Sequence, residues 1–91
     1  MSPREIKLSD LFKENYANRI ALDPALVKPF DKRLTLFKQD RTIPELNDHN
    51  LDWEMQGLRA FSITKDIRVI YEETEDSYIF RDIGTHSQVY K

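Results

Sequence analysis

Few side chains in this 91-residue chain can carry chemistry. It has two histidines: His49 within Asn47-Asp48-His49-Asn50, and His86 within Gly84-Thr85-His86-Ser87. Both neighbourhoods are polar, unlike the apolar setting expected around a core histidine. An imidazole exchanges protons near neutral pH, so a pair suits proton transfer in both directions; two surface histidines without a task are the plainer reading. Arg59, Arg68 and Arg81 fall in three separate predicted strands. Arg68 interrupts an apolar run between Ile67 and Val69. A guanidinium there must meet solvent, a carboxylate or an anionic ligand, because burying it unpaired is costly. Asp66 or Asp82 would make an ion pair with it; a phosphate is the sharper alternative. Tyr90 can donate a proton, stack on a base or close the edge of the core.

Other chemistries find no support. With no cysteine in the chain, disulfides, zinc–thiolate sites and thiol catalysis are excluded. There is no glycine-rich phosphate loop, no GxSxG elbow, and no HExxH or calcium-loop spacing, so neither a cofactor nor a metal is expected. The formal net charge of -2 argues against a general nucleic-acid binder and leaves room only for a local basic patch. The first ten residues, MSPREIKLSD, are charged and lack a following apolar run. No stretch approaches the roughly 20 apolar residues that span a bilayer. The expectation is a soluble cytoplasmic chain with no membrane role.

The elements that must position these residues can be read from periodicity. Glu5 to Leu8 forms a short predicted strand. Ser9 is placed to cap a helix over Asp10 to Ile20, with Asp10 favourable in its first turn. Leu8, Phe12, Tyr16 and Ile20 recur every four residues along one side of it. Asp23-Pro24 marks a break. Pro29 argues for a turn over Asp23 to Lys28 and a second helix from about Lys28 to Gln39, with Phe30, Leu34 and Phe37 on its apolar side. Asp40 to Gly57 reads as a long connection of the kind that often carries function. From Leu58 the period becomes two. Strands around Phe61–Ile63, Ile67–Tyr71 and Tyr78–Ile83 follow, joined by turns at Thr64–Asp66 and Glu73–Asp76, with Gly84 ending the third. The predicted fold is α+β: helices on one face of a mainly antiparallel, four-stranded sheet, in the order β-α-α-β-β-β over a single domain, residues 1–91.

The pieces Pro44-x-Leu46, Asp48-His49-x-Leu51, Gly57-x-Arg59, Asp66-x-Arg68-Val69-Ile70-Tyr71, Gly84-Thr85-His86 and Val89-Tyr90, in this order, resemble the RelE/YafQ superfamily of type II toxin–antitoxin toxins, and most of all its YafQ branch. The resemblance implies a RelE/ParE-like fold and a ribosome-dependent messenger-RNA endonuclease, in which the ribose 2′-hydroxyl attacks the adjacent phosphate without a metal. It implies roles for His86 as general acid or base, Tyr90 as proton donor or stacking group, Arg68 as stabiliser of the phosphate charge, and His49 and Asp66 as further polar or proton-transfer groups. Arg59, Arg81, Lys65 and Lys91 are the candidate phosphate contacts. The implied partners are a cognate antitoxin, messenger RNA on the ribosome with 16S ribosomal RNA contacts, and operator DNA only through the antitoxin. The chain departs from the branch at Ser62, where a histidine is usual, and at Ile67, where a tryptophan is usual. Two alternatives stay open on that account: a non-catalytic antitoxin-binding module, and a gyrase-directed toxin of the ParE kind.

Overall fold

The computed structural model describes residues 4–90. Strand β1 (Glu5–Leu8) leads into helix α1 (Asp10–Arg19). The Ser9 hydroxyl accepts from the Phe12 N–H and satisfies one of the free donors at the start of α1. Phe12 and Ile20 are buried, and the Tyr16 ring stacks on Phe12 at 6.2 Å between centroids. Leu8 belongs to β1 and stays partly exposed.

Helix α2 (Pro24–Gln39) begins at Pro24, four residues before the predicted start, and carries Pro29 inside it. Asp23 caps this helix, accepting from the Ala25 N–H at 2.9 Å, while Pro24 takes the first helical position, where a missing N–H does no harm. Pro29 then removes one helical hydrogen bond in the second turn. Burial of Phe30 and Phe37 beyond it holds the helix together.

The long connection is partly ordered. A 3₁₀ turn over Pro44–Leu46 ends on Asn47 in the left-handed region, φ 48°. Next come the two-residue strand β2 (His49–Asn50) and a 3₁₀ turn over Trp53–Met55. Strands β3 (Arg59–Ser62), β4 (Ile67–Glu73) and β5 (Ser77–Thr85) form the predicted meander, and the short helix α3 (His86–Val89) follows. The sheet has five strands in the order β1-β5-β4-β3-β2. All pairings are antiparallel except β1 with β5, whose register joins Glu5 to Ser77 and Leu8 to Phe80. The fifth strand is β2, too short to show a period in the sequence.

The two faces of the sheet differ. Phe61, Val69, Tyr71 and Phe80 point toward the helices and form one core with Phe12, Phe30 and Phe37. On the other face a smaller cluster of Ala60, Ile70 and Val89 is covered by Leu51, Met55, Leu58 and Tyr90. Arg68 alternates with Ile67 and Val69 and so lies on this second face, together with Ile70. Ile70 and Tyr71 continue this alternation and face opposite cores, while a register shift between Asp82 and Phe80 on the neighbouring strand takes Arg81 out of the pairing.

Candidate functional site

The corner from β5 into α3 is built to fix two side chains. Thr85 caps α3: its hydroxyl accepts from the Gln88 N–H at 3.3 Å, and the Gln88 amide oxygen accepts from the Thr85 N–H at 2.8 Å. From α1, the Arg19 guanidinium donates to the Ile83 carbonyl at 2.9 Å and pairs with Asp82 at 3.4 Å. Asp82 also accepts from the Asn15 amide at 2.6 Å. Gly84 does not end β5 as the sequence reading expected, nor does it need a left-handed backbone; the strand runs on to Thr85. It is glycine because a Cβ there would meet the Gln88 amide oxygen at 2.6 Å and Arg19 at 2.8 Å. Cap and clamp converge on the one position without a side chain.

This corner sets His86 edge-on against the Tyr90 ring, with centroids 4.6 Å apart and planes at 65°. Arg68 pairs in register with Gly84 across the β4–β5 ladder. Its guanidinium carbon lies 5.6 Å from the centre of the Tyr90 ring, within cation–π range. Arg68 forms no ion pair among the described residues; Asp82 is taken by Arg19. The Arg68 Nε and the Tyr90 hydroxyl are both buried without a hydrogen-bond partner among the described residues.

His49 reaches the same place from β2. Its Nδ1 lies 2.8 Å from the Asn47 carbonyl. A carbonyl only accepts, so Nδ1 carries the hydrogen, and Nε2 is the nitrogen left to take a further proton. His49, Leu51, Trp53, Arg68, His86 and Tyr90 line one open pocket of about 570 Å³. A larger hollow of about 880 Å³ lies elsewhere, lined by Ile6, Phe37, Asp40, Arg41 and Tyr78 among others. No histidine lines it, so it lacks the proton-transfer groups of the smaller pocket.

The residue before His49 anchors that strand. The Asp48 side chain is only 2% exposed and accepts from Arg59 at 2.6 and 2.7 Å. Its second oxygen accepts from the Tyr71 hydroxyl, and Arg41 stands 3.7 Å away. Arg59 also donates to the Asn50 side chain at 2.6 Å. Burial pushes the Tyr71 phenol above its ordinary pKa of 10.0, and the hydrogen bond and charge of Asp48 push it further, against the smaller opposing effect of Arg59. The result is a charged clip that fixes β2 from both sides of His49.

Four sequence candidates therefore meet: His49, Arg68, His86 and Tyr90. The others do not join them. Arg59 is committed to Asp48 and Asn50. Arg81 pairs with Glu72 on the exposed side of β5. Lys65 and Asp66 sit exposed at the β3–β4 turn, where the Thr64 hydroxyl accepts from the Asp66 N–H. Lys91 lies outside the described residues. Ile67 is in the core facing the helices. Ser62 pairs in register with Arg68. Leu51, Trp53 and Met55 are pocket residues that sequence reasoning passed over. The available signal was the chain's single tryptophan, set between two acidic residues in the long loop. Among the described residues, no three His, Cys, Asp or Glu side chains cluster closely enough to hold a metal ion, and no helix is long and apolar enough to cross a membrane.

Sequence comparison with curated proteins gives no match. Solved structures do resemble this one. YafQ from E. coli strain BL21(DE3) superposes with a TM-score of 0.80 at 21% identity, covering 97% of this chain and 99% of that one. The toxin of the E. coli DinJ–YafQ toxin–antitoxin complex gives 0.79 at 20% identity, covering 99% and 100%. A metal-bound toxin from Helicobacter pylori gives 0.77 at 19% identity, covering 94% and 98%. At these identities the likeness establishes the fold. The family model for the bacterial YafQ toxin of type II toxin–antitoxin systems matches residues 4–91, nearly the whole sequence, and the chain therefore belongs to the YafQ toxin family.

Proposed function

We propose that this toxin is an RNA endonuclease that cleaves messenger RNA on the ribosome and is held inactive by a cognate antitoxin. One observation carries the reading. Two imidazoles, a tyrosine and an arginine free of ion pairs among the described residues converge in one pocket from separate segments. That set matches the needs of attack by a ribose 2′-hydroxyl on its neighbouring phosphorus. One imidazole takes the 2′ proton as the new P–O bond forms. A proton from the other imidazole, or from Tyr90, goes to the departing 5′-oxygen as the old P–O bond breaks. A 2′,3′-cyclic phosphate and a free 5′-hydroxyl result. Arg68 supplies donors where charge grows on the phosphate. Its buried Nε–H has no acceptor among the described residues, so a phosphate oxygen fits its chemistry better than another cation would. His49 is poised as a base by its Nδ1–H bond.

The partners follow from the same reading. The antitoxin would act by covering this pocket or by reorganising the corner that carries α3. Contact with 16S ribosomal RNA would position the message, and operator DNA would be met only through the antitoxin, because Arg59 and Arg81 are already neutralised by carboxylates.

The test is growth and transcript integrity after induced expression. Wild type is expected to arrest growth and cut ribosome-bound messenger RNA. His86→Ala and Arg68→Ala are each expected to lose at least about a hundredfold in cleavage. Undiminished cleavage in both variants would remove this mechanism. A second reading is favoured by the committed cations and the net charge of -2: an antitoxin-binding module without catalysis. Folded wild-type protein that causes no arrest would select it, and arrest with damaged DNA and intact transcripts would select a gyrase-directed toxin.

A further inference from the structure

Trp53 inverts the usual order of burial. It is the only tryptophan in the chain, and it is 91% exposed. Leu51 and Met55, two positions to either side, pack inward against Ala60, Ile70 and Val89. The loop is pinned between them: the Leu51 N–H donates to the Leu58 carbonyl at 2.9 Å, and the Gln56 N–H to the Trp53 carbonyl at 3.0 Å. Trp53 itself sits in the left-handed region, φ 60°, where a bulky residue is disfavoured and glycine is at ease. A large apolar side chain is thus held out in solvent on a fixed loop, in a backbone conformation that does not suit it. Strain of this kind persists where the surrounding structure enforces it, and is commonest at functional sites. The place it occupies is the wall of the pocket that holds His49, Arg68, His86 and Tyr90.

We infer that Trp53 is a stacking platform for a base of single-stranded RNA beside the phosphate held at Arg68. The inference rests on the RNA-cleaving reading and extends it to a residue outside the proton-transfer set. An exposed indole offers a flat face to any base, and its rigid side chain loses little freedom on stacking. A base flattened against it would fix the nucleotide so that its 2′-hydroxyl and phosphate face the imidazoles, which is positioning rather than chemistry.

Because the chain has one tryptophan, its emission reports on this position alone. The measurement uses His86→Ala protein, so that bound RNA stays uncut. A single-stranded RNA of about eight nucleotides and an abasic ribose-phosphate oligomer of equal length are titrated in. Saturable quenching by the RNA and none by the abasic oligomer is expected. With labelled RNA, Trp53→Ala is expected to weaken binding roughly tenfold or more, and Trp53→Phe to restore most of it. Trp53→Gly separates binding from folding: glycine suits the left-handed backbone, so the melting temperature should hold while RNA affinity falls. Equal quenching by both oligomers, no quenching by either, or unchanged RNA affinity in Trp53→Ala would overturn the inference. So would a Trp53→Ala chain that binds RNA normally and loses only its co-expressed antitoxin, which would place the indole in a protein interface. Wild-type protein that leaves ribosome-bound message intact removes the nuclease reading separately, and the fluorescence titration still decides base stacking.

Discussion

Arg68 and Tyr90 lie side by side and share an unusual condition, each carrying a buried polar atom with no partner among the described residues. Leaving such groups unsatisfied costs about 1–3 kcal/mol each. Tyr90→Phe removes one of them and keeps the ring that packs on His86 and Arg68. Thermal unfolding should therefore show this variant as stable as wild type, or more stable by about 1 kcal/mol, while cleavage falls if the hydroxyl transfers a proton. Arg68→Lys is expected to keep the charge and lose most of the activity, because an ammonium cannot offer the planar paired donors that suit a phosphate; comparing it with Arg68→Ala in a cleavage assay checks this. These residues were legible in the sequence because type and context marked them: a cation in an apolar strand, and imidazoles among polar neighbours. Arg59 and Arg81 read as phosphate contacts, but their carboxylate partners come from Asp48 and from Glu72 across the sheet, and one-dimensional spacing does not reveal such pairs.

At the scale of elements, the β5–α3 corner and the Asp48 clip decide where the site residues stand. Gly84→Ala would press a methyl group on the ends of Gln88 and Arg19. Both side chains are flexible at those ends, so the stability loss should be about 1 kcal/mol, the value of a lost helix cap. The loss of cleavage should be larger, about tenfold or more, because small misplacement of reacting groups is amplified in rate. Melting and cleavage measured on one preparation check the split. Asp48→Ala strands Arg59 and the Tyr71 hydroxyl in a buried setting and should destabilise the fold by about 3–5 kcal/mol in chemical denaturation. The sequence announced the corner as a turn at Gly84, but the actual cause, close approach by Arg19 from the first helix, is tertiary. The start of the second helix is hidden in the sequence for a similar reason. Pro29 is a local signal against helix, and aromatic burial further along α2 outweighs it. Strand β2 left no trace, since two residues have no period.

For the whole molecule, the phenol of Tyr71 ties stability to alkaline pH. Its pKa is raised in the folded state, so folding is at full strength below the ordinary phenol value of 10.0 and weakens as pH climbs above it. In a spectroscopic titration Tyr71 should ionise only with unfolding, apart from the more exposed tyrosines. The two ends of the described chain are also joined. Among the described residues strand β1 pairs with β5 alone, and β5 begins at Ser77, far along the chain from Glu5. During synthesis the first strand must wait for the last before the sheet can close. His86 and Tyr90 emerge later still, and Arg68 has nothing to face until they do. A nascent chain on the ribosome therefore carries no finished site at any intermediate length up to residue 90, and if the target is the translating ribosome, the machine that makes this toxin is spared until the site has been made.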